Sequence, residues 1–176
     1  MDHPDNDNGA PTVPADMPVC VAVDWGTSRF RAHLIAADGR RLDGVASDEG
    51  MGHVEAGGFE AVLTRMCGAW LAAHPGLPVL MAGMVGSRNG WREVPYVTCP
   101  AGIDEIAAGM MSFEIAGGTR VSIVPGLVVD DGVSDVMRGE ETQILGAGYD
   151  DAMVVLPGTH SKWATLRGGR IEGFRT

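Results

Sequence analysis

The sequence predicts an α/β protein in which helices flank mixed β-sheets. A β-branched apolar run at residues 19–24 breaks at a Gly-Thr-Ser turn (residues 26–28) and then resumes, which is typical of a strand, a tight turn and a returning strand. The same pattern recurs at residues 153–165. Between the copies, residues 59–71 carry apolar side chains at helical spacing, and a helix between strands implies a crossover onto one sheet.

Composition and charge exclude several classes of function. With 176 residues, 45% of them hydrophobic, the chain can bury the core of one large or two small domains. The net charge of -10 argues against a general nucleic-acid surface, and no stretch is long and apolar enough to cross a membrane. Cys20, Cys67 and Cys99 are widely spaced, which argues against a disulfide framework and a structural zinc site.

Three segments are predicted along the chain. Residues 1–18 hold aspartates and prolines but no lysine or arginine, so they are interpreted as a disordered tail rather than a secretory signal, and the expected location is the cytoplasm. Residues 19–148 are predicted as a first domain and residues 149–176 as the start of a second. Because the second repeat lacks the helix and strands needed to cover it, the chain is interpreted as the amino-terminal part of a longer protein, inactive by itself.

Within the first domain, short turns order the early elements. Residues 31–35 and 40–46 are predicted as antiparallel strands joined by an Asp-Gly hairpin dipeptide. The Met and Trp side chains on the apolar face of the helix at residues 59–71 are interpreted as core packing. A buried strand over residues 78–84 follows.

The later elements are shorter. Residues 104–111 are predicted as a helix, residues 112–115 fit more than one state, and residues 120–124 are predicted as a strand closed by a Pro-Gly pair. Residues 163–167 and 170–174 are predicted as a hairpin joined by Gly-Gly.

The two glycine–hydroxyl turns are candidate phosphate sites. Glycine lets the backbone approach a ligand closely, and neighbouring N–H groups and hydroxyls can hold phosphate oxygens. Asp24, at the end of its strand, is placed to hold a metal ion, since Mg²⁺ takes one or two carboxylates together with phosphate oxygens. A plain hairpin turn is the alternative for either copy.

A long loop after the fourth strand is a candidate ligand site. It lies beyond the carboxyl end of a predicted parallel strand, where open α/β sheets bind ligands. Ser87 and Arg88 are placed to receive a carboxylate, and Trp91 and Tyr96 offer flat apolar walls. The alternative is a surface loop whose aromatic side chains anchor it to the core.

Carboxylates precede a helical pattern at residues 144–147. The helix dipole favours Glu140 and Glu141 at the amino terminus whatever the function, so capping and a base that accepts a hydroxyl proton both fit.

Several blocks together resemble the 2-dehydro-3-deoxygalactonokinase family. The resemblance spans residues 19–176 in order, and its most specific blocks are Arg-Gly-Glu-Glu-Thr-Gln and Pro-Gly-Thr-His-Ser-Lys-Trp. The blocks are residues 24–28, 81–87, 90–91, 95–96, 125–127, 136–143, 156–163 and 174–176.

The resemblance implies the actin-like ATPase fold, with two ribonuclease-H-like domains around a cleft that holds ATP. It also implies transfer of the γ-phosphoryl group of MgATP to the 6-hydroxyl of 2-dehydro-3-deoxy-D-galactonate, a step in galactonate catabolism. The adenosine site is expected in a carboxyl-terminal half that this chain lacks.

Roles carry over by position. Asp24 serves the metal, and Glu140 is the expected base, with Glu141 and then Asp135 as alternates. The phosphate-binding residues are Gly26, Thr27 and Ser28 in the first turn and Gly158, Thr159 and Lys162 in the second. Arg29 departs from the asparagine expected after the first turn.

Two other functions remain open at this point. Another actin-like kinase, acting on a neutral sugar or a polyol, would share both phosphate turns but would need no cation such as Arg88. A non-catalytic nucleotide-binding regulator would need no base, and the Glu140-Glu141 pair speaks against it. The expected partners are a sugar acid and ATP, and the sequence leaves a homo-oligomer open.

Overall fold

Twelve strands and three α-helices occupy the part of the chain that the computed structural model describes, residues 14–158 and 160–176. The strands are β1 (Pro18–Trp25), β2 (Phe30–Ala36), β3 (Arg41–Ser47), β4 (Val79–Ala82), β5 (Val97–Thr98), β6 (Met111–Glu114), β7 (Arg120–Ile123), β8 (Leu127–Val129), β9 (Asp135–Met137), β10 (Ala152–Leu156), β11 (Lys162–Arg167) and β12 (Arg170–Arg175). The helices are α1 (Phe59–Ala73), α2 (Ile103–Ala108) and α3 (Glu140–Gly146).

The main sheet has six strands in the order β3-β2-β1-β4-β7-β6. β1, β4 and β7 run parallel, whereas β2, β3 and β6 pair antiparallel with their neighbours. Short turns build the antiparallel half, and α1 lies in the chain between β3 and the parallel β4. The predicted mixed α/β architecture is therefore confirmed.

The apolar face of α1 packs on this sheet. Phe59, Val62, Leu63 and Cys67 are buried in the main core, and Met66 and Trp70 pack against it. The indole N–H of Trp70 also donates to Asp43 on β3 at 3.0 Å. The interpretation of the helical Met and Trp side chains as core packing is confirmed.

The segment around α2 differs from the prediction. The predicted helix over residues 104–111 is wrong at its carboxyl end, because α2 ends at Ala108 and Met111 already pairs with Ile123 on β7. Residues 112–114, which fit more than one state, continue β6. Edge pairing with β7 thus overrides the helical spacing of the apolar residues.

The remaining strands and helices pack around a second hydrophobic core. β5-β8-β9 and β10-β11-β12 form two three-stranded sheets. Their inner faces pack with α2 and α3 around Leu127, Met137, Ile144, Leu166 and Phe174. This cluster contains residues from both sides of the predicted domain boundary at residues 148/149.

The β10–β12 sheet buries only one face. Val154 and Leu156 pack against the second core, whereas the alternate side chains Met153, Val155 and Trp163 are exposed. Val155 lies directly opposite Trp163 across the strand pair. The three outward side chains form one apolar surface.

Of the predicted tail, residues 1–13 lie outside the described residues. Pro18 already belongs to β1, and Ala37 N–H donates to Met17 O at 3.0 Å. Among the residues with described positions, no helix has the length and hydropathy needed to span a membrane. The three cysteines are free thiols.

Candidate functional site

Two strand ends and one helix start meet at a single point. Asp24 on β1 pairs with Ala82 on the parallel β4, and Gly83 follows with φ of 95°. A Cβ at Gly83 would lie 2.9 Å from Trp25 O, and one at Gly139, just before α3, would lie 3.1 Å from the Gly83 Cα. Because only glycine permits this approach, Asp24 and the start of α3 come together at the carboxyl ends of parallel strands.

Asp24 is half-exposed at this junction. Its Oδ2 accepts a hydrogen bond from Arg31 Nη1 at 2.9 Å, since the hairpin register sets the two residues opposite each other. Within residues 14–158 and 160–176, no three His, Cys, Asp or Glu side chains gather as a metal cluster. A single accessible carboxylate fits Mg²⁺ that takes its other ligands from phosphate and water. The metal role of Asp24 stays a prediction.

The first candidate phosphate turn is anchored by backbone hydrogen bonds from residues 51 and 52. Met51 N–H donates to Gly26 O at 2.9 Å, and Gly52 N–H donates to Thr27 O at 3.0 Å. Thr27 and Ser28 are exposed, and their N–H groups donate to no acceptor within the described part of the chain. Exposed N–H groups and hydroxyls on a fixed turn are suited to receive phosphate oxygens.

The second turn is only partly described, because Thr159 lies outside the described residues. Gly158 N–H donates to Ser161 Oγ at 3.2 Å. Lys162 is 5% exposed, and its Nζ donates to Val136 O at 2.9 Å and to Thr176 Oγ1. The ammonium group is therefore held at β9, and its predicted phosphate contact stays a prediction.

Asp135, an alternate base, belongs to the same polar cluster as Lys162. Thr176 donates its N–H at 2.7 Å and its hydroxyl at 2.8 Å, and Lys162 Nζ lies 3.8 Å from Oδ1. Burial acts to raise the pKa of Asp135, but the Thr176 hydrogen bonds and the Lys162 charge outweigh it and lower the pKa. A carboxylate supplied with this many donors is a poor proton acceptor.

Glu140 and Glu141 differ in accessibility. Glu140 is half-buried, and its Oε2 accepts the Arg138 N–H at 3.0 Å. Glu141 is fully buried, and both of its oxygens accept the Gly139 N–H, at 2.9 and 2.7 Å. Burial, aided by the neighbouring Glu140 charge, raises the pKa of Glu141 to about 7. Of the two, Glu140 is the carboxylate that a reactant can reach.

The β4–β5 loop (residues 83–96) is internally hydrogen-bonded. Trp91 N–H donates to Val85 O and Val94 N–H donates to Gly86 O, both at 2.9 Å. Gly90 packs so closely that a Cβ there would lie 2.1 Å from Val85 O. These contacts define the internal shape of the loop.

The four predicted substrate residues are spread along this loop. Ser87 Oγ lies 3.7 Å from Met51 Sδ, and Arg88 is exposed on a cavity of about 500 Å³. Trp91 lines the same cavity, but its ring also stacks on Phe59 in the main core, with 6.0 Å between the ring centroids. This packing fits the alternative interpretation, in which aromatic side chains anchor the loop to the core. Tyr96 lies apart from this cavity, 41% exposed, with a guanidinium over its ring.

That guanidinium belongs to Arg138, which lies in one of the sequence blocks that resemble the family but for which no role was predicted. It is 8% exposed, donates to Val94 O at 2.8 Å and lies 4.3 Å from the Tyr96 ring centroid. The sequence signal for Arg138 is its position between the apolar Met137 and Gly139, the residue that precedes α3.

The fold defines an α/β protein with a candidate ligand site at the carboxyl ends of parallel strands, where a carboxylate, an exposed glycine–hydroxyl turn and a helix start converge. A family model described as 2-keto-3-deoxy-galactonokinase matches residues 24–176. The chain belongs to this family, which confirms the resemblance seen in its sequence blocks.

Individual relatives agree with the family. The probable 2-dehydro-3-deoxygalactonokinase of Rhizobium meliloti (strain 1021) is 43% identical over 160 residues, covering 88% of this chain. The 2-dehydro-3-deoxygalactonokinase of Escherichia coli (strain K12) is 38% identical over 159 residues, covering 89% of this chain. A crystal structure from Sinorhizobium meliloti, provisionally named as the same kinase, matches with a TM-score of 0.77 and 42% identity over 89% of this chain. The chain spans 52% of the length of each of these three proteins.

Proposed function

We propose that this chain is part of an ATP-dependent kinase that phosphorylates 2-dehydro-3-deoxy-D-galactonate at its 6-hydroxyl, in galactonate catabolism. The observation that supports it best is the junction of Asp24, Gly83 and Gly139, which brings a candidate metal ligand close to the start of α3. The proposed identity of the substrate is based on membership of the family and on the names of its relatives.

In the proposed reaction, the substrate hydroxyl oxygen attacks the γ-phosphorus of ATP and the bond to the β–γ bridging oxygen breaks. Glu140 accepts the hydroxyl proton, because it is the accessible carboxylate at the start of α3. The N–H groups and hydroxyls of Thr27 and Ser28 hold phosphate oxygens. Bound Mg²⁺, with Asp24 as its protein ligand, supplies charge neutralisation at the phosphates.

The substrate carboxylate is proposed to pair with Arg88. Neither Arg88 nor Arg92, which line one cavity, forms an ion pair among the described residues, and no carboxylate lines that cavity. In a chain of net charge -10, such a site is locally suited to an anion.

The finer fold assignment is part of the same proposal. The order β3-β2-β1-β4-β7, with three antiparallel strands followed by parallel ones, supports a first ribonuclease-H-like unit of an actin-like ATPase over residues 19–148. The β10–β12 meander, with the second glycine–hydroxyl turn between β10 and β11, supports residues 149–176 as the start of its partner domain. The proposed location is the cytoplasm.

A coupled ADP-release assay tests the function directly. The full-length protein that contains this chain is supplied with MgATP and a panel of acceptors: 2-dehydro-3-deoxy-D-galactonate, other sugar acids, neutral sugars and glycerol. Release of ADP with the named sugar acid, and a 6-phosphate product by mass spectrometry, is the expected result. Preference for a neutral acceptor, or no turnover with any, contradicts the proposal.

Arg88→Ala separates acid from neutral acceptors. Arg88 is exposed in the structure, and the bound sugar acid is proposed to cover it; loss of a charged partner typically costs about 2–5 kcal/mol when such a pair is buried. The Michaelis constant for the sugar acid is expected to rise steeply while that for ATP changes little. Arg120→Ala, at the exposed start of β7, is the matched control.

A further inference from the structure

Arg138 is a buried cation that the proposed phosphoryl transfer does not use. Only its Nη2 has an acceptor, Val94 O at 2.8 Å, whereas Nε and Nη1 are buried without a hydrogen-bond partner among the described residues. A buried charge with unmet donors is costly compared with an apolar side chain of similar volume. Stability alone therefore does not account for an arginine here.

The guanidinium touches the β4–β5 loop at three points. It donates to Val94 O and lies 4.3 Å from the ring centroid of Tyr96. It also packs on Gly86, where a Cβ would lie 2.9 Å from Nη1. The two sides of the loop, residues 86 and 94–96, are thus held by one planar group, whose fork and flat face lysine cannot reproduce.

The backbone of Arg138 belongs to the other side of the site. Its N–H donates to Glu140 Oε2 at 3.0 Å, and the next N–H, that of Gly139, donates to both oxygens of Glu141. One residue therefore connects the loop that carries Arg88 with the carboxylates at the start of α3.

We propose that Arg138 is a positioning residue that fixes the β4–β5 loop relative to Glu140, and so sets the distance between the bound sugar acid and its proton acceptor. The proposal rests on the proposed kinase function, which assigns the substrate to this loop. Arg138 contacts the loop backbone and an aromatic ring, so its effect on the reaction is geometric. A displacement of about 1 Å in such a site costs up to about 100-fold in rate.

The test compares Arg138→Met and Arg138→Lys in the full-length protein, with Arg120→Met as an exposed arginine control. Arg138→Met is expected to lower kcat about 10- to 100-fold and to raise the KM for the sugar acid, with the KM for ATP within about twofold. Arg138→Lys, which can still donate to Val94 O, is expected to recover part of kcat. Thermal unfolding of each variant reports the folded fraction.

Hydrogen exchange supplies a readout that does not depend on activity. Amides of residues 83–96 are expected to exchange faster in Arg138→Met than in wild type or Arg120→Met. Unchanged loop exchange with unchanged kcat and KM overturns the proposal, as does a loss of activity that only follows the folded fraction. If Arg138→Met does not fold, Arg138→Lys decides by the same measurements.

If the wild-type protein does not phosphorylate the sugar acid, the proposed kinase function is contradicted, but the positioning role of Arg138 is not. In that case the exchange of residues 83–96 still shows whether Arg138 fixes the loop. The two proposals therefore fail on different measurements.

Discussion

Strand register determines which residues surround the Asp24 carboxylate. The β1–β2 hairpin sets Arg31 opposite Asp24, while the parallel pairing with β4 places Gly83 beside the carboxylate. The side chain stays half-exposed because glycine leaves the space next to it open. The guanidinium of Arg31 supplies a counter-charge to this carboxylate.

Asp24→Asn is expected to lower kcat about 100-fold or more, because a metal ligand typically contributes several kcal/mol to the transition state. The free energy of unfolding should change by less than about 1 kcal/mol, since the ion pair with Arg31 is half-exposed. Steady-state kinetics over a range of Mg²⁺ concentrations and urea unfolding measure the two effects. Asp38→Asn, in an exposed pair with Arg40, is the control. Ordinary turnover with ordinary Mg²⁺ dependence would remove Asp24 from the site.

Glu140→Gln tests the proton acceptor. A positioned base is worth a factor of about 10²–10⁴ in kcat, and substrate binding should change little because the isosteric amide still accepts the Arg138 N–H. Rapid-mix kinetics at saturating substrates measure the loss. Asp135→Asn is the comparison, because its carboxylate is already occupied by Thr176 and Lys162. If Asp135→Asn loses turnover and Glu140→Gln keeps it, the base is Asp135 and Glu140 is a helix cap.

At the scale of elements, the start of α3 combines buried charge with tight packing. Glu141 is fully buried, with a pKa raised to about 7 by burial from its ordinary value of 4.5. Between these two values the folded protein holds a proton that the unfolded chain has released. The free energy of unfolding therefore falls as pH rises through this window, by about 3 kcal/mol in total.

Glu141→Gln is expected to flatten this pH dependence. The amide cannot ionise, yet its oxygen can still accept the Gly139 N–H, so the variant should be at least as stable as wild type at pH 8. Urea unfolding at pH 5 and pH 8 measures the difference, with Glu172→Gln on the exposed face of β12 as the control. Equal pH slopes in the variant and wild type would contradict the raised pKa.

Gly139→Ala tests the contact between α3 and β4. Gly139 has φ of 107°, and an added Cβ would lie 3.1 Å from the Gly83 Cα. Gly132 is a matched control, because its φ is 101° and a Cβ there meets nothing within 4 Å. Each alanine carries backbone strain of about 1–3 kcal/mol. Gly139→Ala should lose more stability than Gly132→Ala and also lose activity, whereas equal losses would show that the close approach is unimportant.

The sequence pattern predicts the long helices and strands but not the shortest strands. Strong periodicity and turn dipeptides predict β1 to β4 and α1 to within one or two residues. β5, β8 and β9 have two or three residues each, too few for an alternating pattern, and they form only because the second core covers them. The end of α2 was wrong because pairing of β6 with β7 is a non-local interaction that helical spacing does not contain.

At the scale of the whole molecule, the repeated strand–turn–strand pattern and the crossover helix were enough to predict the mixed sheet. Residues close in sequence to a turn, such as Asp24 and Glu140, could be chosen as candidates because strand ends and helix starts are visible in the sequence. Contacts between segments that are distant in the sequence could not be predicted in this way. Arg138 reaching Val94 and Lys162 reaching Val136 depend on the tertiary fold alone.

The exposed face of the β10–β12 sheet is expected to affect the solubility of the chain. Met153, Val155 and Trp163 present apolar area that two copies can bury against each other. The net charge of -10 keeps copies apart, over a distance that shortens as ionic strength rises. We therefore expect self-association of the chain to increase as the salt concentration rises.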